Sequence, residues 1–136
     1  MLMSEKSTST QRKILLVDDD SFLLDMYSLK FSKANYEVKA LDSTDNALKT
    51  LRDGYVPDIM LIDIVMPGMD GLELVSTIRK EDLVPHALII MLTNQGTPDE
   101  IARSKKMNVD GYIVKAMTIP SEVLTEVEKI SANKKY

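Results

Sequence analysis

Residues 59–62 read Ile-Met-Leu-Ile, an apolar run without a polar interruption, and Asp63 follows at once. Such a run has the length of a strand and is too short for an independent helix. A strand that is apolar on both sides must be covered on both sides, which makes it the centre of a parallel sheet sandwiched by helices. A carboxylate at the carboxyl end of that strand stands in the crevice where open α/β sheets bind ligands. Pro67, Gly68 and Gly71 then force a tight, irregular loop before the next helix. Taken alone, Asp63 reads more simply as an acid that ends a strand and caps a turn, because short motifs are weak evidence.

The rest of the chain repeats the pattern. Strands are expected at 14–17, 36–41, 58–63, 87–92 and 111–114. Helices are expected at 21–34, 43–52, 72–80, 98–106 and 121–132. The second strand carries interleaved polar residues and belongs near an edge. In the first helix Leu23, Met26, Tyr27 and Phe31 fall on one face, with Phe22, Leu24 and Leu29 off it. Asp42 or Ser43 can cap the second helix, and Gly54 lies just past its end. Five strands alternating with five helices make a doubly wound α/β domain. The expected organisation is a floppy N-terminus over 1–12, one domain over 13–133 and no output domain, since only four residues follow the last helix.

Composition limits the partners. The chain has 136 residues, enough for a core without covalent staples, and no Cys, which removes disulfides and thiolate metal sites. Its 21 acidic and 17 basic residues leave a net charge of -4, which argues against a broad nucleic-acid-binding face. No apolar run approaches the roughly 20 residues that cross a bilayer, and the N-terminus lacks a signal-peptide core. A cytoplasmic protein with neither membrane nor nucleic-acid contact is therefore expected.

The polar residues that end the strands carry the chemistry. Strand one ends in Asp18, Asp19 and Asp20, strand three in Asp63, strand four in Thr93 and strand five in Lys115. Parallel strands put all these ends at one edge, where the groups can converge. Three or four carboxylates there repel one another and need a cation. Oxygen donors without Cys or a nearby His suit a hard ion such as Mg²⁺. A hydroxyl and an ammonium beside that ion complete an anion pocket able to stabilise a phosphoryl group in transfer. Asp63 would be the nucleophile, forming an acyl phosphate. Each residue has a plainer reading as a cap, a turn residue or a solvated strand end. Asp20 is read as the cap of the first helix or a solvated acid with no metal role, Tyr112 as a half-buried sheet residue and His86 as a loop residue. Only jointly, four strand ends in the right order, do they argue for a site.

The motifs are Ile-Leu-Leu-Val-Asp-Asp-Asp at 14–20, Leu-Ile-Asp-Ile-Val-Met-Pro-Gly-Met-Asp-Gly at 61–71, Met-Leu-Thr at 91–93 and Gly-Tyr-Ile-Val-Lys at 111–115. On these the chain resembles the receiver domains of two-component response regulators, including the single-domain chemotaxis type, over roughly residues 13–132. The resemblance implies a flavodoxin-like (βα)5 fold with strand order 2-1-3-4-5. It implies Asp63 as phosphoacceptor, and Asp18, Asp19, Asp63 and the carbonyl of Val65 around Mg²⁺, Asp18 in part through water. Thr93 and Lys115 would hold the phosphoryl oxygens. Tyr112 matches an aromatic residue that swings inward when Thr93 moves. The surface of the first helix around Leu24 would meet a histidine kinase or phosphotransfer domain. An unnamed downstream protein would read the face made by the fourth helix, fifth strand and fifth helix. Such a chain is a monomer or a phosphorylation-dependent dimer, and not a turnover enzyme.

Two positions depart from the family pattern. Asn94 follows Thr93, where the family usually has a very small residue, and narrows access to the site. Ala116 follows Lys115, where the family nearly always has Pro in a cis bond. Without proline the cis form costs about 3–4 kcal/mol. The Lys115–Ala116 bond is therefore expected to be trans, with the loop before Pro120 displaced and Lys115 still reaching Asp63. Two other function classes remain. One is an Asp-nucleophile Mg²⁺ phosphatase of the haloacid-dehalogenase type, which wants Asp-x-Asp after the first strand. The other is a phosphorylation-independent interaction module on the same fold.

Overall fold

A computed structural model describes residues 11–94 and 96–133. The expected floppy N-terminus lies outside the described residues over 1–10. The elements alternate as follows: β1 Lys13–Val17, α1 Ser21–Lys33, β2 Glu37–Leu41, α2 Thr44–Arg52, β3 Ile59–Asp63, α3 Gly71–Lys80, β4 Leu88–Thr93, α4 Pro98–Lys106, β5 Gly111–Val114 and α5 Pro120–Asn133. A single 3₁₀ turn, Lys115–Met117, joins β5 to α5. All strand pairs are parallel, and the sheet order is β2-β1-β3-β4-β5. This is the flavodoxin-like order the resemblance implies. The chain reverses direction across the sheet between β1 and β3, so a crevice opens at their carboxyl ends.

The strands alternate their side chains between two cores. Ile14, Leu16, Ile59, Leu61, Ile90 and Leu92 face α1 and α5. Leu15, Val17, Met60, Ile62, Ile89 and Met91 face α2 and α3. Every residue of β3 and β4 is buried, as their unbroken apolar runs require. Each such side chain stabilises the fold by about 1.5–3 kcal/mol relative to leaving it in water. Strand β2 is the exposed edge, consistent with its interleaved polar residues. Helix α4 is held more lightly, with Ser104 as its one fully buried residue.

Local chemistry sets the helix starts. The Asp20 carboxylate accepts from Leu23 N–H at 3.1 Å and caps α1, the first of the two roles open to it in the sequence. Ser43, and not Asp42, caps α2. Asp70 and Glu73 form a reciprocal capping box on α3. Thr97 caps α4, with Pro98 in the first turn.

One expectation for α1 is corrected. Leu24 is not off the core face: it is 8% exposed and packs with Tyr27 and Phe31 against β1, β3 and α5. Its i, i+3, i+7 spacing with those two rings defines the buried stripe, while Leu23 and Met26 flank it. Phe22, 70% exposed, and Leu29, 49% exposed, stay outside as expected. The exposed face of α1 is therefore Phe22, Asp25 and Leu29, and any partner surface there excludes Leu24.

Candidate functional site

Register brings the strand ends together. Val17 pairs with Ile62, Asp63 with Leu92 and Thr93 with Val114. Asp18 therefore leaves the sheet beside Asp63, and Lys115 leaves it one step past Thr93. Asp18, Asp63 and Thr93 are all buried, although each is polar. Buried polar side chains need partners. Asp18 Oδ1 accepts from Asp20 N–H at 2.9 Å and from Lys115 Nζ at 3.2 Å. Lys115 Nζ also lies 3.1 Å from Asp18 Oδ2 and donates to Asp63 Oδ2 at 3.3 Å. The ammonium bridges two carboxylates, 97 and 52 residues away in the chain.

Lys115 does not neutralise the cluster. Asp19 stands exposed at its rim, and one carboxylate oxygen from each of Asp18, Asp19 and Asp63 lies within 4.8 Å of the others. Burial pushes the Asp63 carboxyl up to about 7; Lys115 opposes this, and Asp18 and Asp19 add to it. Burial also works against the charge of Lys115, but Asp63 and Asp18 outweigh it and hold its pKa above the ordinary value. The Thr93 hydroxyl is fully buried and has no hydrogen-bond partner among the described residues. A buried, unpartnered hydroxyl costs about 1–3 kcal/mol. Hard oxygen donors, excess negative charge and an unsatisfied hydroxyl together fit a divalent cation such as Mg²⁺ and an oxyanion beside it.

The remaining sequence candidates are placed as follows. Val65 is exposed two residues beyond Asp63, in the loop before α3. Tyr112 is 38% exposed on β5. Asn94 is exposed just past Thr93. His86 is an exposed loop residue and is not part of the cluster. The described residues contain no cis peptide bond, so Lys115–Ala116 is trans as expected, and Lys115 still reaches Asp63.

Three supporting residues escaped the sequence reading. Gly71, expected in the loop, opens α3 and abuts Asp63: a Cβ there would stand 2.1 Å from the Asp63 carbonyl oxygen. Its N–H donates to the Ile64 carbonyl at 2.8 Å. The Thr44 hydroxyl donates to the Met69 carbonyl at 2.8 Å and steadies the same loop from α2. Tyr27 is buried in the core on α1, on the side of the sheet that faces α5. Burial raises its pKa to about 12, with Lys115 lowering it and Asp18 and Asp63 raising it. Only the Gly after the capping Asp carried a sequence signal, as a position where a helix can approach another backbone closely.

A family model described as the response regulator receiver domain matches residues 14–128. The chemotaxis protein CheY of Halobacterium salinarum is 35% identical over 112 residues, covering 81% of this chain and 89% of that protein. The transcriptional regulatory protein ResD of Bacillus subtilis is 32% identical over 123 residues, covering 90% of this chain and 49% of that protein. The phosphate regulon regulator PhoB of Pseudomonas aeruginosa is 29% identical over 119 residues, covering 88% of this chain and 51% of that protein. The chain thus spans about half the length of ResD and PhoB. Among solved structures, chemotaxis response regulator CheY4 of Vibrio cholerae superposes with a TM-score of 0.80 at 28% identity, covering 89% of this chain and 99% of that one. Fold, motif positions and relatives agree, and the chain belongs to the family of response regulator receiver domains of two-component systems.

Proposed function

We propose that this receiver domain is a phosphoacceptor that takes a phosphoryl group onto Asp63 from a histidine kinase or phosphotransfer domain. The observation that carries the reading is Lys115 Nζ held between the buried carboxylates of Asp18 and Asp63, at 3.1 and 3.3 Å. An Asp63 oxygen attacks phosphorus, the new O–P bond forms as the P–N bond to the donor imidazole breaks, and the imidazole nitrogen keeps the electron pair. Lys115 then pairs with the phosphoryl oxygens, and the Thr93 hydroxyl donates to one of them. Asp18, Asp19, Asp63 and the Val65 carbonyl would hold Mg²⁺. When bound, the ion would offset the crowded carboxylates and the charge on the transferred group.

The output is a shift between two arrangements and not a new fold. When Thr93 turns toward a phosphoryl oxygen it vacates space that the Tyr112 ring can enter. Tyr112 lines a groove of about 530 Å³ with Val114, Thr118 and Glu122, beside α5. A downstream protein would read this face. We read residues 13–133 as one cytoplasmic receiver, monomeric or dimerising on phosphorylation, that does not turn over a substrate. No helix among the described residues is long and apolar enough to cross a membrane.

The test is incubation with Mg²⁺ and acetyl phosphate. The expected result is one phosphoryl group per chain, removable by hydroxylamine. Steady release of phosphate would instead identify a phosphatase, and no mass change an interaction module that ignores phosphorylation.

Millimolar Mg²⁺ is expected to raise the melting temperature, because the cation binds only the folded carboxylate arrangement. At about 100 times its dissociation constant the gain is about 2.7 kcal/mol. Asp19→Ala should remove most of that gain. Thermal melts with Mg²⁺ and with chelator check this, and a shift that Asp19→Ala leaves intact refutes the site.

A further inference from the structure

The ladder between β4 and β5 does not end with its strands. Its last strand pair is Thr93 with Val114, and among the described residues it continues in the Ala116 N–H, which donates to the Asn94 carbonyl at 3.2 Å. Asn94 follows Thr93, and Ala116 follows Lys115. A second contact lies alongside. Gly96 packs so closely on β5 that a Cβ there would stand 2.9 Å from Val114 Cγ2. The two contacts bracket Lys115 in sequence, while its ammonium is held at the far end by Asp18 and Asp63. A proline at position 116 would have no N–H, so this bond requires a residue other than proline there.

We propose that the Ala116 N–H is a positioning group. It ties the Lys115 turn to the Thr93 loop, so that the two side chains that would hold a phosphoryl group are set, and displaced, as one unit. The proposal rests on the phosphoacceptor reading above. Lysine is a point charge on a flexible four-carbon stem, so where its ammonium sits depends on how firmly its backbone is placed. Among the described residues three bonds hold the turn after β5. The Thr118 hydroxyl donates to the Val114 carbonyl at 2.6 Å, and Thr118 N–H to the Lys115 carbonyl at 3.4 Å. Both are internal to the turn. Among the described residues, the Ala116 bond is the one of these three that crosses to the loop that carries Thr93. A displacement of Thr93 therefore passes through it to residues 115–118, and from there to the start of α5 at Pro120. In this chain a hydrogen bond to the neighbouring loop ties the backbone just after Lys115.

The test changes the one atom involved. Building the chain with lactic acid in place of Ala116 replaces the N–H by an ester oxygen and keeps the methyl group and carbonyl. Phosphoryl uptake from acetyl phosphate with Mg²⁺ is expected to slow about tenfold, as a misplaced reacting group does. Amide spectra with beryllofluoride standing in for the phosphoryl group read the coupling. The parent should respond at both the Thr93 loop and residues 115–118. The ester variant should keep the first response and lose most of the second, which a merely structural loss of stability would not do. Parent-like uptake with both responses intact, or loss of both together, overturns the coupling. Should the ester variant fail to fold, the scalar coupling across the bond from Ala116 nitrogen to the Asn94 carbonyl carbon decides in the unmodified protein. Its presence in resting and beryllofluoride-bound forms supports the proposal, and its absence in either overturns it. A parent that takes up neither phosphoryl group nor beryllofluoride ends the phosphoacceptor reading and the coupling with it; a loading parent with an indifferent ester ends the coupling alone.

Discussion

Asp63→Asn is expected to abolish phosphoryl uptake and, without metal, to make the protein more stable at pH 8 than the parent. The amide keeps the shape of the carboxylate but cannot form an acyl phosphate. The stability effect follows from the Asp63 carboxyl being raised from 3.8 to about 7, mainly by burial. A raised carboxyl binds its proton more tightly in the folded chain than in the unfolded one. The stability that proton contributes is fully present below about pH 4 and is lost as pH rises through about 7. At pH 8 the parent therefore carries a buried charge that the Asn variant lacks. The shift corresponds to at most about 4 kcal/mol, and the lost pairing with Lys115 offsets part of it, leaving a gain of about 1–3 kcal/mol. The gain should shrink between pH 8 and pH 5. Mass spectrometry after acetyl phosphate treatment reads the first effect, and thermal melts in chelator at the two pH values read the second. Full uptake by the variant would remove Asp63 from the chemistry. A stability gain that grew toward pH 5 would show that burial does not govern its charge.

Gly71→Ala is expected to cost about 2–4 kcal/mol and to slow phosphoryl uptake, although the residue carries no functional group. The added Cβ would meet the Asp63 carbonyl oxygen at 2.1 Å, the carbonyl carbon at 2.9 Å and Ile62 Cγ2 at 3.0 Å. The first two belong to backbone that cannot swing aside. Helix α3 cannot withdraw either, because Gly71 N–H is bonded to the Ile64 carbonyl at 2.8 Å and the Asp70–Glu73 capping box anchors its first turn. The clash is relieved only by moving the end of β3, and Asp63 moves with it. Alanine is ordinarily the better helix residue by about 1 kcal/mol, so the sign of the effect separates the contact from helix propensity. A variant that melts at or above the parent temperature and takes up phosphoryl groups at the parent rate would show that α3 does not brace Asp63.

The fold class, the central strands and the residues that end them are already legible in the order of residues along the chain. The reason is local. Residues 14–17, 59–62 and 87–92 are apolar without a break, so each had to be a covered strand, and the polar residue after each had to emerge at the same edge of a parallel sheet. The caps of α1 and α2 were legible to within one alternative for the same reason, since a cap bonds the helix it begins; the caps Asp70 and Thr97 were not read. What sequence could not decide was anything set by rotation or contact between distant segments. In α1 two overlapping apolar stripes compete, and only packing on β1, β3 and α5 turned Leu24 inward and left Phe22 outside. The closeness of Gly71 to Asp63, the bridge from Lys115 to Asp18 across 97 residues, and the bond from Ala116 to Asn94 are all invisible to periodicity. Periodicity reports which side of an element is buried, but a contact of 2–3 Å depends on how far each element slides along its neighbour. That is settled when all five strands and their helices close on one another.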